Sequence, residues 1–427
     1  MNVLLVDSDG CGTDMAYRAA EAGHAVKFWQ PKENGKASED GKGFPGIEKV
    51  NGWKEHMTWA KSGLIVNLFN GPITKELDRY REFGFPVFGP SAKSAALEVK
   101  RADGMKALEA SGVDVPPYKT FTSLQDAAKY AKSADKRLVF KTLGDEEDKS
   151  MSYCSSGPED MLWRINSWIA QGITLKGPCM LQDFIEGIEC GVSSWMTTAG
   201  FCSMWNINFE FKKLMADDYG PATGEMGTVC KYAPISKLAD AILKPMEKTL
   251  RDLGHIGDCD INCIIDDKGK AWPLEFTNRF GWPSTQILMA SHKGDPVKWM
   301  KDALNGKDTL KVDERTAIGV LMAAPPFPYP DDDMEAAGLL VSGLEQEWQN
   351  VSPWQVKLEK GEYITTGPYV AVVTALAPDV HDCIPKVYET VKRIKFPNRI
   401  VRCDIGKKLE EQLPKLHALG YEECPLW

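Results

Sequence analysis

A chain of 427 residues is too long for one hydrophobic core and divides into two to four domains. Its 43% hydrophobic and 26% charged residues are ordinary for a globular protein. The net charge of −9 excludes a general electrostatic grip on nucleic acid or anionic membrane but leaves room for a local basic pocket, and no apolar run is long enough to span a bilayer.

The start, Met1-Asn2-Val3-Leu4-Leu5-Val6-Asp7, lacks the basic flank of a signal peptide and reads as a buried first strand. Eleven cysteines without a CxxC pair fit reduced thiols, so a cytoplasmic protein is expected. Strand Val3–Val6 leads through the turn Asp7-Ser8-Asp9-Gly10-Cys11-Gly12 into a helix reaching Ala22. His24–Trp29, Leu64–Leu68 and Pro86–Phe88 read as strands, with a helix over Ile73–Phe83. This alternation implies a parallel sheet with helices on its faces. Strands become frequent from Leu138 to about Asn208, interrupted by a helix over Pro158–Ala170 that has proline at its start. One helix is expected over Ile235–Leu253, stopped by Gly254. Asp258–Ile265 and Lys270–Phe276 form a hairpin about Asp266-Asp267-Lys268-Gly269. Pro325–Pro330 and Asp331–Asp333 read as a loop between domains or a lid, and helices follow at Cys383–Ile394 and Lys407–Leu419.

Three segments carry chemistry. Asp258, Asp260 and Asn262 share one face of a strand, and the hairpin brings Glu275 opposite Asn262. Oxygen donors on neighbouring strands suit Mg²⁺ shared with nucleotide phosphates, and Arg279 follows closely enough to neutralise a transferring phosphoryl group. A polar hairpin face in water accounts for the pattern equally well. Met180–Glu189 combines a strand with a linker suited to an adenine edge and, at Glu189, to ribose hydroxyls; a strand and polar turn is the simpler alternative. Tyr219–Gly227 is a glycine-rich loop whose N–H groups suit a carboxylate or phosphate, or else a plain surface loop.

With Pro86-Val87-Phe88-Gly89-Pro90-Ser91-Ala92, the Gly220–Gly227 loop, Leu274-Glu275-Phe276 with Arg279-Phe280-Gly281, Arg315–Val320 and Arg402–Gly406 in this order, the chain resembles glycinamide ribonucleotide synthetases of the ATP-grasp superfamily over nearly its whole length. The resemblance implies an α/β ATP-grasp fold in four parts: a Rossmann-like domain (1–112), a small lobe (113–190), a large lobe (191–312) and a C-terminal α+β domain (313–427) packed on the first. It implies ATP and Mg²⁺ as cofactors, with Lys100 or Arg101, Lys141, Lys149, Gln182, Asp183, Phe184 and Glu189 on the nucleotide. Glu275 is the implied principal metal ligand, with Asn262, Thr277 and Asn278 beside it. Gly220, Pro221, Thr223, Gly224, Met226 and Gly227 are implied around the carboxylate substrate, and Arg279 and Lys213 as catalytic residues. The implied reaction makes an acyl phosphate from a small carboxylate such as glycine and joins it to an amine, with no membrane or general nucleic-acid partner.

The chain also departs from that family. A neutral Asn262 stands where related ligases carry a carboxylate, Thr277 where the family has Asn, and Glu225 is a substitution within the retained Gly220–Gly227 loop. The phosphate-covering loop, glycine- and alanine-rich in the family, is here Gly144-Asp145-Glu146-Glu147-Asp148-Lys149. A carboxylate about 6 Å from a phosphate charge costs about 3 kcal/mol at an effective dielectric of 20, so these acids must turn away or hold a cation. Asp7–Asp14 and Asn67–Pro72 replace the Arg-Glu-His and Gly-Pro-Glu segments that serve the family's amine substrate. These departures favour a ligase for another amine, or a nucleotide-binding protein that has lost catalysis.

Overall fold

The computed structural model describes residues 1–33, 36–143, 151–329 and 336–427. Lys149, the acidic run Asp145–Asp148 and Asp331–Asp333 lie outside them. Strand Asn2–Val6 is buried at Val3, Leu4, Leu5 and Val6 alike, the signature of a parallel strand covered on both faces. It pairs in parallel with Ala25–Trp29 and Leu64–Asn67, and the sheet extends to Ile47–Val50 on one side and Val87–Phe88 on the other. Helix Thr13–Glu21 follows the first strand, and Pro72–Glu82 follows the strand at 64–67.

A four-stranded antiparallel sheet comes next, with Tyr153–Cys154, Leu138–Thr142, Cys179–Asp183 and Tyr118–Phe121 in that spatial order. Helices Leu124–Ala134 and Pro158–Ala170 pack with it around a separate core that includes Phe140, Ile165 and Trp168. The remainder is organised by a ten-stranded sheet whose main path runs Ala271–Thr277, Gly257–Ile265, Ile188–Thr197, Trp205–Glu210, Gly227–Ala233, Thr316–Ala323, Tyr369–Ala377, Val351–Pro353. Gly227–Ala233 bonds directly to Thr316–Ala323, so hydrogen bonding continues across the expected division at 312/313.

The helix expected over Ile235–Leu253 is broken instead. A wide π turn at Ala239–Leu243 and a tight turn at Lys244–Met246 precede a short α-helix, Glu247–Asp252. Pro245 has no N–H to donate and its ring crowds the preceding turn, which forces the change of pitch. Gly254, at φ +72°, ends the segment as expected.

The C-terminal part packs on the first sheet. Trp348 stacks on Tyr17 with ring centroids 5.0 Å apart, and Trp354 donates its indole N–H to the Gly10 carbonyl at 2.9 Å. Among the described residues no helix is long and apolar enough to cross a membrane.

Candidate active site

Strand alternation builds the site. Along Gly257–Ile265, Cys259, Ile261 and Cys263 enter the hydrophobic core while Asp258, Asp260 and Asn262 face the other way. The adjoining strands add Ser193, then Asn206, Asn208 and Glu210, then Glu275 and Thr277. Glu275 pairs with Asn262, as expected, and Thr277 with Asp260, after a β-bulge that shifts the register between Asn262 and Cys263. With Lys212, Gly224, Glu225 and Arg279 these side chains line a cavity of about 150 Å³.

Gly191 makes the face possible. It pairs with both Asn208 and Asn262, and a Cβ there would lie 2.3 Å from Asn208 Oδ1. Asn208 Nδ2 donates to Asp260 Oδ2 at 2.7 Å and Asn262 Nδ2 to Glu210 Oε2 at 3.3 Å. Asn262 Oδ1 is therefore the atom left to meet a cation beside Glu275.

Three cations surround Glu275. Arg101 Nη2 lies 2.8 Å from Glu275 Oε2, and Lys141 and Lys212 are near enough to act on its charge. Burial alone would raise its pKa, but Lys212, Arg101 and Lys141 outweigh burial and hold it at about 2. Burial also depresses Lys141 to about 8, helped by the neighbouring Arg101 charge. Lys212 goes the other way: burial opposes its charge, yet Glu210, Glu189 and Glu275 together raise its pKa. Its ammonium lies 2.8 Å from Glu189 and 3.2 Å from Glu210.

Of the expected nucleotide residues, Lys141, Gln182 and Asp183 lie on the four-stranded antiparallel sheet, Phe184 just past its end, and Glu189 on strand Ile188–Thr197 of the large sheet. Lys141 donates to Gln182 Oε1 at 3.0 Å, leaving Gln182 Nε2 buried without a partner among the described residues. Asp183 pairs with Lys136 at 2.7 Å, and the Arg137 guanidinium lies 3.5 Å from the Phe184 ring centroid. Lys100 sits exposed where helix Ala92–Val99 gives way to helix Arg101–Ala110.

Other expected residues are elsewhere. Lys213 points to the Gly220 carbonyl, and it is Lys212 that enters the cavity, because Phe211 takes the core-facing position between Glu210 and Lys212. Asn278 turns away from Glu275: its amide bonds the Ser94 carbonyl at 2.9 Å and its oxygen accepts from the Cys259 thiol. Of the loop residues, Gly224 borders the cavity, Thr223 pins the loop through its hydroxyl to the Lys212 carbonyl at 2.8 Å, and Gly220 and Pro221 lie farther out. Met226 is in the core, and Gly227 abuts Gly319, whose carbonyl a Cβ would approach to 2.4 Å. Arg279 is held by Glu98 at 3.2 Å and donates to the Phe280 carbonyl. Glu210, Lys212, Asn206, Asn208 and Glu98 are site residues not singled out from sequence. The first four could have been found by carrying the period-two pattern through Trp205–Lys212.

Residues 104–285 match the family described as phosphoribosylglycinamide synthetase, ATP-grasp (A) domain. These residues form an ATP-grasp domain. The whole chain is 28% identical to the phosphoribosylamine–glycine ligase of Allochromatium vinosum, covering 96% of this chain and 98% of that one. It is 24% identical to the enzyme of the same name from Halalkalibacterium halodurans, over 96% and 97%. The fold matches the crystal structure of phosphoribosylamine–glycine ligase from Thermotoga maritima, with a TM-score of 0.72 and 20% identity over 95% of this chain and 100% of that one. It also matches an L-amino acid ligase from Bacillus licheniformis, at TM-score 0.59 and 14% identity over 92% and 98%. The matched residues thus include Glu275, Asn262, Lys141, most of helix Arg101–Ala110 and the whole acid-lined sheet face, while Arg101 lies just before them.

Proposed function

We propose that the chain is an ATP-dependent carboxylate–amine ligase that works through an acyl phosphate. The observation that carries this reading is Glu275 opposite Asn262 with Arg101, Lys141 and Lys212 converging on it. ATP would lie between the antiparallel sheet and the large sheet, its phosphates against Lys141 and Arg101. Glu275 and the Asn262 amide oxygen fit Mg²⁺, a hard cation that takes oxygen ligands. When bound, Mg²⁺ supplies neutralising charge to the phosphates. Arg101 releases Glu275 to that role by turning to the nucleotide. Arg279, fixed by Glu98, presents its guanidinium to the substrate carboxylate as it attacks the γ-phosphate. The resulting acyl phosphate is attacked by the amine, forming the amide and releasing phosphate. The protein's contribution is positioning and charge stabilisation.

ADP release with Mg²⁺, ATP and a matrix of amino acids and amines tests the reading. Glu275→Ala should lower turnover at least about 100-fold with an unchanged circular dichroism spectrum. Undiminished turnover removes Glu275 from the site.

A second observation bears on the amine. A cavity of about 1040 Å³ opens at the carboxyl ends of the first sheet, where α/β proteins bind ligands, and Asp9, Glu39 and Asp40 line it. Its one lining cation among the described residues, Lys357, is already paired with Glu39 and Glu359. Such walls repel a phosphate, which favours an amine other than phosphoribosylamine. Direct competition between phosphoribosylamine and unphosphorylated amines checks this. Phosphoribosylamine turnover at a kcat/KM above about 10⁴ M⁻¹s⁻¹ would refute it.

A further inference from the structure

A third cavity, of about 500 Å³, lies apart from the two already described and shares no lining residue with either. It opens where helix Thr13–Glu21, the segment between helices Ser284–Ser291 and Pro296–Ala303, and the chain at 348–351 come together. That volume, and a place between parts of the fold, are usual for small-molecule sites, which run from about 300 to 1,000 Å³. One wall is aromatic, Trp348 stacked on Tyr17. Arg18 gives one N–H to Asp14 at 2.8 Å, one to the Met289 carbonyl at 3.4 Å and one to Ser352 Oγ at 3.3 Å. A guanidinium has five, so two remain among the described residues, and the side chain is 28% exposed. His292 supplies a second donor. Trp195 Nε1, which can only donate, bonds the Tyr232 hydroxyl at 3.0 Å, and that hydroxyl lies 2.8 Å from His292 Nε2. Tyr232 is 1% exposed and its own proton needs a partner, so it goes to Nε2. Burial, then the Arg18 charge, lowers the pKa of His292 to about 3 and keeps the ring neutral, which puts its proton on Nδ1. Among the described residues Nδ1 is buried with no partner.

We propose that this cavity is an effector site for an uncharged heteroaromatic ring of the nucleobase type, a conclusion independent of the ligase reading. The aromatic wall calls for a planar ring. Arg18 and His292 donate, so the ring must carry acceptors, and the carboxylates of Glu21 and Asp295 at the same cavity call for donors as well. Ring nitrogens, carbonyl oxygens and exocyclic amino groups of a nucleobase place both kinds along its edges. Asp14, Glu21 and Asp295 outnumber Arg18 among the charged lining residues, which disfavours a phosphate or a carboxylate. The two helices that end at this cavity begin at the other two. Helix Thr13–Glu21 follows Asp9 and Gly10 of the 1040 Å³ cavity, and helix Ser284–Ser291 starts at Ser284 of the 150 Å³ cavity. Their far ends meet the third cavity through Arg18 and Glu21 on one and Met289 on the other. A ring held there fixes the two helices relative to each other, and with them the turns at 8–12 and 281–284.

Calorimetry on the full chain with adenosine, guanosine and cytidine, each with and without excess MgATP, tests this, with benzoate as an aromatic anion for comparison. At least one nucleoside should bind more tightly than about 1 mM, undisturbed by MgATP, and benzoate should not. Ala22→Trp sets a large side chain at an exposed lining position without removing a polar contact, and should abolish binding. Arg18→Lys keeps a cation beside the buried Asp14 but loses the planar fork, and should weaken binding at least about tenfold. If that variant fails to fold, Ala22→Trp decides. Hydrogen exchange at 8–12 and 281–284 should slow when the nucleoside is bound. The proposal is overturned if no nucleoside binds, if MgATP displaces it, if benzoate binds as tightly, or if the folded Ala22→Trp chain binds it unchanged. Binding that leaves exchange at both turns unaltered overturns the effector role.

Discussion

Two acids that line the same cavity behave in opposite ways. Glu275 meets Lys212, Arg101 and Lys141 and is ionised at any ordinary pH, whereas Asp258 is buried with Arg279 as its main electrostatic relief and titrates at about 7. The Asp258 shift has a definite sign. Between pH 4 and 7 the unfolded chain has ionised this group and the folded chain has not, so unfolding releases a proton and stability falls as pH rises through that window. Above about 7 the loss is complete, and fully expressed it is worth about 4 kcal/mol at 1.36 kcal/mol per pKa unit. Asp258→Asn should therefore remove that part of the decline. Denaturant melts at pH 4.5 and pH 8 measure it, and parallel losses in wild type and variant would show that Asp258 does not titrate there.

At the scale of elements, the site depends on a sheet whose two faces differ in chemistry. Ile207 and Phe209 enter the core from the same strand that presents Asn206, Asn208 and Glu210 to the cavity. Close approach at Gly191 lets the Asn208 side chain lie across its neighbour. Gly191→Ala puts a methyl group into that contact and should cost about 1–3 kcal/mol by overpacking. It should also displace Asn208 from Asp260. The melting temperature reports the first effect, and a fall in Mg-dependent ADP release the second. A variant as stable as wild type would mean that the strands shift to make room.

For the whole molecule, the C-terminal segment braces the chain that leads into the Tyr219–Gly227 loop. Arg402, 1% exposed, pairs with Asp404 at 2.6 Å and with Asp218 at 2.8 Å, and donates to the Lys213 carbonyl at 2.9 Å. The Asp217 N–H in turn donates to Asp404. Arg402→Ala leaves Asp404 without its cation and should cost about 3 kcal/mol, as when one member of a buried pair is removed. Hydrogen exchange at residues 213–225 should quicken in the folded variant, because the anchor of that loop is gone. Protection equal to wild type would show that Thr223 and the strand at 227 hold the loop without it.

Much of this was legible in the residues themselves. Period-two alternation put Asp258, Asp260 and Asn262 on one face and the Asp266–Gly269 turn declared the hairpin, but the register that runs from the turn would set Leu274 opposite Asn262, and a β-bulge between Asn262 and Cys263 brings Glu275 there instead. Alternating strands and helices declared the parallel first sheet, and the ordered motifs from Pro86 to Gly406 carried the ATP-grasp resemblance. These are local properties, set by backbone geometry within a few residues. What the sequence left open depends on neighbours far along the chain. The choice of Lys212 over Lys213 follows from Phe211 finding the core, and the withdrawal of Asn278 follows from Ser94, 184 positions away. The continuous sheet across 312/313 is a pairing of strands about 90 residues apart. The acid-lined cavity needed the whole sheet: Glu225 and Asp258 belong to separate segments, and only their burial in one space raises the pKa of two ordinary carboxyl groups.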